Sequence, residues 1–496
     1  MKRFADMLAL AGGDVGAIRL EGVDLRSPVP FESVRCIAVH ANSCGIGGLE
    51  RVVLEQCRLF RRMGIEVHLV LNVAPDAASN FIPEDVAVHV LPRPSGNIVE
   101  YLRKRADAVV GIVSDAGAQL YLDSAYQNIF MRASPETWDW LALKMTLGTP
   151  VLLHWHSVFA RFLRMPGGER FASSLRALSR LCDGVIALSH VDEAFFSALG
   201  FRSWFIPNPV DDKLVSASEC RRRAEGRVVL WCGRIAEVKR PLEALSVFRA
   251  AHEMEGGMRL LMVGGGDVAL VGKMKEFISA NGLEASVVMT GECADVYPFY
   301  GKSDVLLSTS DCEGYPMSFV EATAFGLPIV SMGKGYVELL RHNDGAVVVG
   351  RDDVAAAARA LVELTALGQR RANAARGVAD TWARIAGFDL AEAYARVFSD
   401  VGGGRSKGTD DSDFSLAARE VVDGFLAGIA ERGKCVSAGL DEAGLGKWLP
   451  LIRRAESFLA MLSIGKSAKR HRMRSKACGR LLRFLRGDMS EITRGG

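Results

Sequence analysis

From Arg35 onward, short unbroken runs rich in valine, isoleucine and leucine alternate with amphipathic stretches of helical period. In the first half the runs read "RCIAVHA", "EVHLVL", "AVVGIV", "PVLLHWH" and "GVIALS". A strand without polar alternation is buried on both faces, as happens in parallel sheets covered by helices on each side. The rhythm breaks once, at "FIPNPVDDKL" (Phe205–Leu214), where two prolines, an asparagine and adjacent aspartates form a turn-rich segment. It then restarts with "RVVLWCG", "MRLLMVG", "ASVVMTG", "SDVLLSTS" and "LPIVSM". Such alternation predicts an α/β fold with two Rossmann-like parallel-sheet domains, residues 1–205 and 206–385, hinged near 206–212. Ligands of such sheets bind beyond the carboxyl ends of the strands, so a cleft between two of them is the expected site. A helix is expected over 386–400, a flexible linker at 401–413 ("GGGRSKGTDDSD") and a helical, basic extension over 414–496.

Composition narrows the function classes. The formal net charge is only +3, so no strong field draws the chain to nucleic acid. Ten cysteines are scattered without a CxxC pair or metal-like spacing, as suits reduced thiols in the cytoplasm. The N-terminal apolar run is too short for a signal peptide, and no stretch is long and apolar enough to span a bilayer. The expectation is a cytoplasmic protein, with a peripheral contact at the inner face of the membrane as an option for the basic tail.

Five stretches carry chemistry. In "ANSCGIGGLERVV", Gly45, Gly47 and Gly48 lie between a strand and a helix, where glycine permits close approach and helix N–H groups offer an anion site; a tight turn explains them equally well. In "PVLLHWHSVF", His154 and His156 fall on one side of a strand end, with His156 nearest the loop. "WCGRIAEVKRP" sets Arg234, Lys239 and Arg240 before a helix-starting Pro241, a pattern suited to a diphosphate or to a solvated basic loop. "LLMVGGGDVAL" matches G-x-G-x-x-A through Gly264, Gly266 and Ala269, but on the second strand of its domain, which argues against NAD. In "EGYPMSFVE", Pro316 starts a helix that leaves Glu313 in the loop and Glu321 about one turn inside. Eight helical residues span about 12 Å, so the two acids are not a shared-proton pair and suit two anchors on one extended polar ligand. The helix dipole alone accounts for Glu321 but poorly for Glu313.

Taken in order, "GGLER", "HWHS", "IPNPVD", "CGRIAEVKR", "LLMVGGGD", "SDVLLSTSDCEGYPMSFVEATAFGLPIVS" and "NDGAVVV" resemble the retaining glycosyltransferases of family 4, with the GT-B fold. The resemblance covers roughly residues 35–400. It implies that Arg234 and Lys239 bind the donor diphosphate and stabilise the leaving phosphate. It implies further that Glu313 holds the donor sugar with the backbone of Gly314 and Tyr315. Glu321 would hold the ribose, and backbone near Cys293 would meet the base. Gly47 and Gly48 would approach the phosphates or the acceptor, and His156 would contact the sugar near the reacting carbon. The implied activity is metal-independent transfer of a hexose from a UDP- or GDP-sugar to a glycan or lipid-linked acceptor, with retention through front-face attack and without a cofactor. The hinge reads NPVD where many family members have NGVD. The alternatives are an epimerase or phosphorylase of the same architecture, or a non-catalytic nucleotide-sugar-binding scaffold. The resemblance says nothing of residues 401–496, whose segment 464–487 suits an anionic membrane surface or a protein partner.

Overall fold

The computed structural model describes residues 2–11, 25–45, 47–75, 82–94, 96–125, 135–158, 181–198, 201–219, 227–333, 337–340, 343–366 and 369–403. The expected linker, apart from its first residues, and the whole basic extension with its 464–487 contact lie outside them. The chain divides into two compact units, one of Met1–Pro207 with Asp389–Gly496 and one of Asn208–Phe388. No helix among the described residues is long and apolar enough to cross a membrane.

The first unit holds seven strands: β1 Cys36–Ala41, β2 Glu66–Leu71, β3 Ala87–Val90, β4 Leu120–Asp123, β5 Val151–Trp155, β6 Gly184–Ala187 and β7 Ser203–Phe205. They form one sheet in the order β3-β2-β1-β4-β5-β6-β7, every pairing parallel. All six residues of β1 are buried, because helices cover both faces. Helix Gly48–Arg62 returns the chain from β1, with Val52, Val53, Cys57 and Phe60 inward, Glu50 in its first turn and Arg61 and Arg62 in its last. That charge order suits the helix dipole. Helix Leu390–Gly402 also belongs to this unit and packs Tyr394 edge-on against Phe60, ring centroids 4.9 Å apart.

One predicted strand is wrong. "AVVGIV" (Ala108–Val113) lies inside helix Ile98–Asp115. Its β-branched residues are overridden by a longer pattern, in which Leu102, Ala106, Val109, Val110 and Val113 recur at helical spacing and are buried. The Asn97 side chain caps the start by accepting from Val99 N at 2.8 Å. The strand beside β1 is instead the short "LYLD" of β4, too brief to stand out in the sequence.

The second unit holds β8 Arg227–Cys232, β9 Met258–Val263, β10 Val287–Gly291, β11 Val305–Ser308, β12 Ile329–Met332 and β13 Ala346–Val349. The order is β10-β9-β8-β11-β12-β13, again all parallel. Its core gathers Leu245, Phe248, Met262, Leu307 and Leu361 from the sheet and its covering helices. In each sheet the chain starts at a central strand, winds one way and then the other. The strand order therefore reverses between β1 and β4 and again between β8 and β11. Loops leaving the carboxyl ends of those strands flank the crevice where ligands of such sheets bind.

Candidate active site

In the second unit the chemistry-bearing residues leave the two strands that flank the reversal. After β8 the chain runs through Gly233 and Arg234 into a short 3-10 turn, Glu237–Lys239, and then helix Pro241–Met254. Arg240, between turn and helix, has φ 47°, the only positive φ outside glycine among the described residues. A left-handed residue just before proline is strained, and the surrounding structure holds it. Thr309 Oγ1 lies 2.8 Å from Lys239 O and 2.9 Å from Arg240 O, and Trp231 Nε1 donates to the same oxygen at 3.2 Å. Asp311 N adds a bond to Val238 O at 2.8 Å. The Arg240 guanidinium is tied to Asp352 at 2.8 Å and to Arg351 O at 3.0 Å, so this third base serves the loop's structure.

Lys239 and Glu313, named from separate stretches of the sequence, meet in the fold. Lys239 Nζ pairs with Glu313 Oε1 at 2.6 Å, with the lysine side chain 26% and the glutamate 11% exposed. The lysine stem runs over Gly233, where an added Cβ would meet Lys239 Cδ and Cε at 4.0 Å. Arg234 is exposed and has no partner among the described residues. Pro316 caps helix Met317–Ala324, which puts Gly314 in the preceding loop and buries Tyr315. Asn208 Nδ2 donates to Tyr315 O at 3.3 Å and fixes that turn. Glu321, only 2% exposed, accepts from Tyr300 Oη at 2.6 Å. Glu313 and Glu321 thus have separate partners, an ammonium and a phenol. Sequence reasoning missed Thr309 and Tyr300. Each lay within or beside a quoted motif, but nothing in a sequence marks a hydroxyl that holds another side chain.

The glycine fingerprint after β9 is a packing device. Gly264 (φ 136°) and Gly266 (φ 152°) take backbone conformations that side chains avoid. A Cβ on Gly264 would sit 2.0 Å from Gly233 O, and one on Gly266 2.1 Å from Ile235 O. Ile235 N donates to Gly265 O at 2.8 Å, and Asp267 N to Ile235 O at 2.9 Å. These glycines let the β9 loop lie directly on the turn that carries Arg234. Gly264 N bonds Gly291 O at 3.0 Å, which extends the contact to the β10 loop. Cys293 follows there, its thiol 3.4 Å from Thr290 Oγ1. Arg234, Lys239, Glu313, Gly314, Tyr315, Glu321 and Cys293 therefore all occupy loops, or the start of the helix, at one end of the second sheet.

His156, Gly47 and Gly48 belong to the first unit. Gly47 caps helix Gly48–Arg62 with extended backbone, and an added Cβ would strike only the flexible Glu50 carboxylate, at 1.8 Å from Oε2. Glycine is therefore not enforced there by packing. His154 and His156 lie with ring centroids 3.9 Å apart and planes at 41°. Burial pushes the His156 imidazole down to about 3, against a smaller upward pull from Asp123, and burial likewise drives His154 well below the usual range. Both rings are neutral at pH 7. His154 Nε2 and His156 Nε2 are buried without partners among the described residues.

Behind them lies a buried charged network that the sequence did not announce. Arg105, 2% exposed, sends Nη2 to Asp139 at 2.7 Å and Nη1 to Asn72 Oδ1 at 2.7 Å. His40 Nδ1 lies 3.4 Å from Asp123 Oδ1, and Trp140 Nε1 donates to Asp123 Oδ2 at 2.7 Å. One group among the described residues has metal-ligand proximity: atoms of Cys36, Glu66 and His68, within 4.8 Å of one another at the opposite end of the first sheet.

Two domains of this topology, each with its functional loops at the carboxyl ends, define the GT-B class of fold. A chain of 18% identity, Anabaena HepE in complex with UDP and glucose, superposes with TM-score 0.58 over 74% of this chain and 98% of its own. Residues 226–366 match the family described as glycosyl transferases group 1, and residues 46–214 match glycosyltransferase family 4. The chain belongs to the group 1, family 4 glycosyltransferases. It is 27% identical to the amylovoran biosynthesis glycosyltransferase AmsD of Erwinia amylovora over 36% of this chain and 53% of that protein. It is also 27% identical to the GDP-mannose:cellobiosyl-diphosphopolyprenol alpha-mannosyltransferase of Xanthomonas campestris, over 53% of this chain and 70% of that one. The match to the Erwinia protein thus spans about half of its length.

Proposed function

We propose that the protein is a retaining glycosyltransferase that moves a hexose from a UDP- or GDP-sugar to a glycan or lipid-linked acceptor at the cytoplasmic face of a membrane. The observation that carries this reading is the Lys239–Glu313 pair, held at 2.6 Å where the second sheet reverses its strand order. An ammonium bound to a carboxylate beside an exposed arginine suits a ligand with a diphosphate next to hydroxyls. Arg234 and Lys239 would bind the diphosphate, and Glu313 would accept from sugar hydroxyls while orienting the ammonium. Glu321, one end held by Tyr300, would accept from the ribose. The N–H groups of Gly314 and Tyr315 would support the sugar, and backbone near Cys293 would meet the base.

In the reaction, the anomeric C–O bond breaks as negative charge builds on the leaving phosphate, where Lys239 and Arg234 neutralise it. The acceptor hydroxyl attacks from the face that the diphosphate leaves, and a phosphate oxygen takes its proton. The neutral His156 ring would contact the sugar near the reacting carbon, and Gly47 and Gly48 would admit phosphate or acceptor close to the backbone. The two cations supply the positive charge, so turnover is expected to persist in a chelator. The relatives favour this acceptor class, since one acts on a cellobiosyl-diphosphopolyprenol and another in amylovoran biosynthesis.

The test is incubation of the full chain with a panel of nucleotide sugars, following slow release of the nucleoside diphosphate. Hydrolysis of one donor, lost in Lys239→Ala, supports the reading. An altered sugar with the nucleotide still attached would mean epimerisation, and binding without turnover would mean a scaffold. Either result overturns it.

A further inference from the structure

The imidazole pair at the end of β5 is supported from behind by a chain of buried hydrogen bonds. Gln56, on the inner side of helix Gly48–Arg62, is fully buried. Its Nε2 lies 2.6 Å from His154 Nδ1 and 2.6 Å from Tyr394 Oη. The amide nitrogen has two protons and faces two acceptors, so it donates to both. An imidazole that accepts at Nδ1 carries its proton at Nε2. The tilted ring of His156, its centroid 3.9 Å away, then rests on a neighbour whose tautomer and orientation are fixed. Tyr394 is held in turn between Phe60, at 4.9 Å, and Phe398, at 5.8 Å. From the other side, Trp155 packs edge-on against Phe196 at 5.5 Å and fixes the strand end. Three elements far apart in sequence thus converge on one imidazole.

We infer that Tyr394, Gln56 and His154 are positioning residues that lock His154 as the Nε2–H tautomer and thereby hold His156 in one orientation for the donor sugar. The inference rests on the role proposed for His156. The charged groups facing the pair are few: each histidine faces the other, and His156 also feels Asp123. With both rings neutral, the network works by hydrogen-bond direction and not by charge. It also gives helix Leu390–Gly402, which rejoins the first unit after the second, a part in the site.

Two measurements test it. The first needs no activity: long-range 15N–1H NMR of histidine-labelled full-length protein at pH 7, with the His154 signals identified by their loss in His154→Gln. The expected result is the Nε2–H tautomer in the wild type and the Nδ1–H tautomer or imidazolium in Gln56→Glu, whose carboxylate can only accept. A wild-type His154 protonated at Nδ1, or one exchanging between tautomers, overturns the inference. The second is kinetic. Gln56→Met should lower kcat about tenfold with the donor KM within about twofold, and Tyr394→Phe should lower it less, because the Gln56–His154 bond survives. A Gln56→Met protein with wild-type kcat, beside a His156→Ala protein that has lost turnover, also overturns it. Full turnover in His156→Ala would instead remove the proposed role of His156, while the tautomer measurement still decides whether the lock exists.

Discussion

At the carboxyl ends of the first sheet stand His40, Asp123 and His154, each fully buried; near the same ends of the second stand Cys232, Ser308 and Ser331. Both sheets run three-two-one-four-five-six in their own numbering, the first with a seventh strand added at the edge, so topology does not explain the contrast. The second sheet ends in small groups and keeps its charges in loops, where Lys239, Glu313 and Arg234 reach solvent or a ligand. The first sheet places ionisable groups inside and satisfies them incompletely. Its buried, unpartnered polar atoms cluster on β4, β5 and their ends, Tyr121 Oη, Ser124 Oγ, His154 Nε2 and His156 Nε2, with Gln56 Oε1 on the helix that faces His154. In the second unit such atoms are scattered among Asn208, His252 and Asn343. Unpaired buried polar groups are costly and collect where a structure has another use for them. One half thus keeps its charged side chains at its surface, and the other holds polar and ionisable groups in its interior.

The sharpest way to break that comparison is to remove a charge from each half. Arg105→Met leaves Asp139 buried without its cation and takes one of the partners of Asn72 Oδ1, so the cost should be about 3–5 kcal/mol. Thermal unfolding would show a large drop in the Tm. A drop under a few degrees would mean that water reaches the network and that the first unit is not built on buried charge. Lys239→Ala is the counterpart in the second unit. Its partner Glu313 is close enough to solvent to be rehydrated, so stability should hardly change, whereas kcat should fall by roughly 10²-fold. A stability loss as large as that of Arg105→Met would erase the distinction.

Acid sharpens the contrast further. His154 and His156 have depressed values in the fold and an ordinary 6.5 when unfolded, so unfolding takes up protons below that pH. Their neutral burial therefore favours the fold fully above pH 6.5, and that advantage is lost as the pH falls toward about 3. Each contributes a slope of at most about 1.4 kcal/mol per pH unit. His40 acts in the opposite sense. Burial lowers its value, but Asp123 outweighs that and raises it, so its contribution is present in acid and fades as the pH rises through its folded value. The Tm of His156→Gln should accordingly fall less steeply between pH 6.5 and pH 4 than that of the wild type. Parallel curves would show that the ring is hydrated.

The same contrast explains what could be read from the sequence. Continuous apolar runs announced most strands of both sheets, and the loop residues of the second unit were nameable because their chemistry lies in contiguous stretches such as "CGRIAEVKR" and "EGYPMSFVE". The first unit's network was not, since Arg105, Asp139, Asn72 and His40 come from four separate elements, and Arg105 looks like one more base on a helix. "AVVGIV" misled for a related reason: six residues of valine-rich sequence are compatible with a strand or a buried helix, and only the partners in the fold decide. Gly264 and Gly266 match a glycine fingerprint in the sequence, but their structural duty, admitting the backbone of Gly233 and Ile235, depends on a contact between two strands' loops.

The smallest effect is expected where a hydroxyl supports a site without touching the ligand. Tyr300→Phe keeps the ring stacked on Phe325, 5.8 Å away, and deletes the bond to Glu321 Oε2 together with the hydroxyl's contact with Cys232. The carboxylate, now short of one donor, is held less firmly for the ribose. Loosening the carboxylate in this way should weaken its hold on the ribose by about 1 kcal/mol, so the donor KM should rise roughly fivefold. Because ribose contacts are the same before and during transfer, kcat should stay near its wild-type value. Steady-state kinetics with the turned-over donor read both constants. A fall in kcat at constant KM would mean that Glu321 acts at the reacting carbon. The second unit would then resemble the first, with an interior group aimed at the chemistry, and the division of labour between surface charge and buried polarity would have to be redrawn.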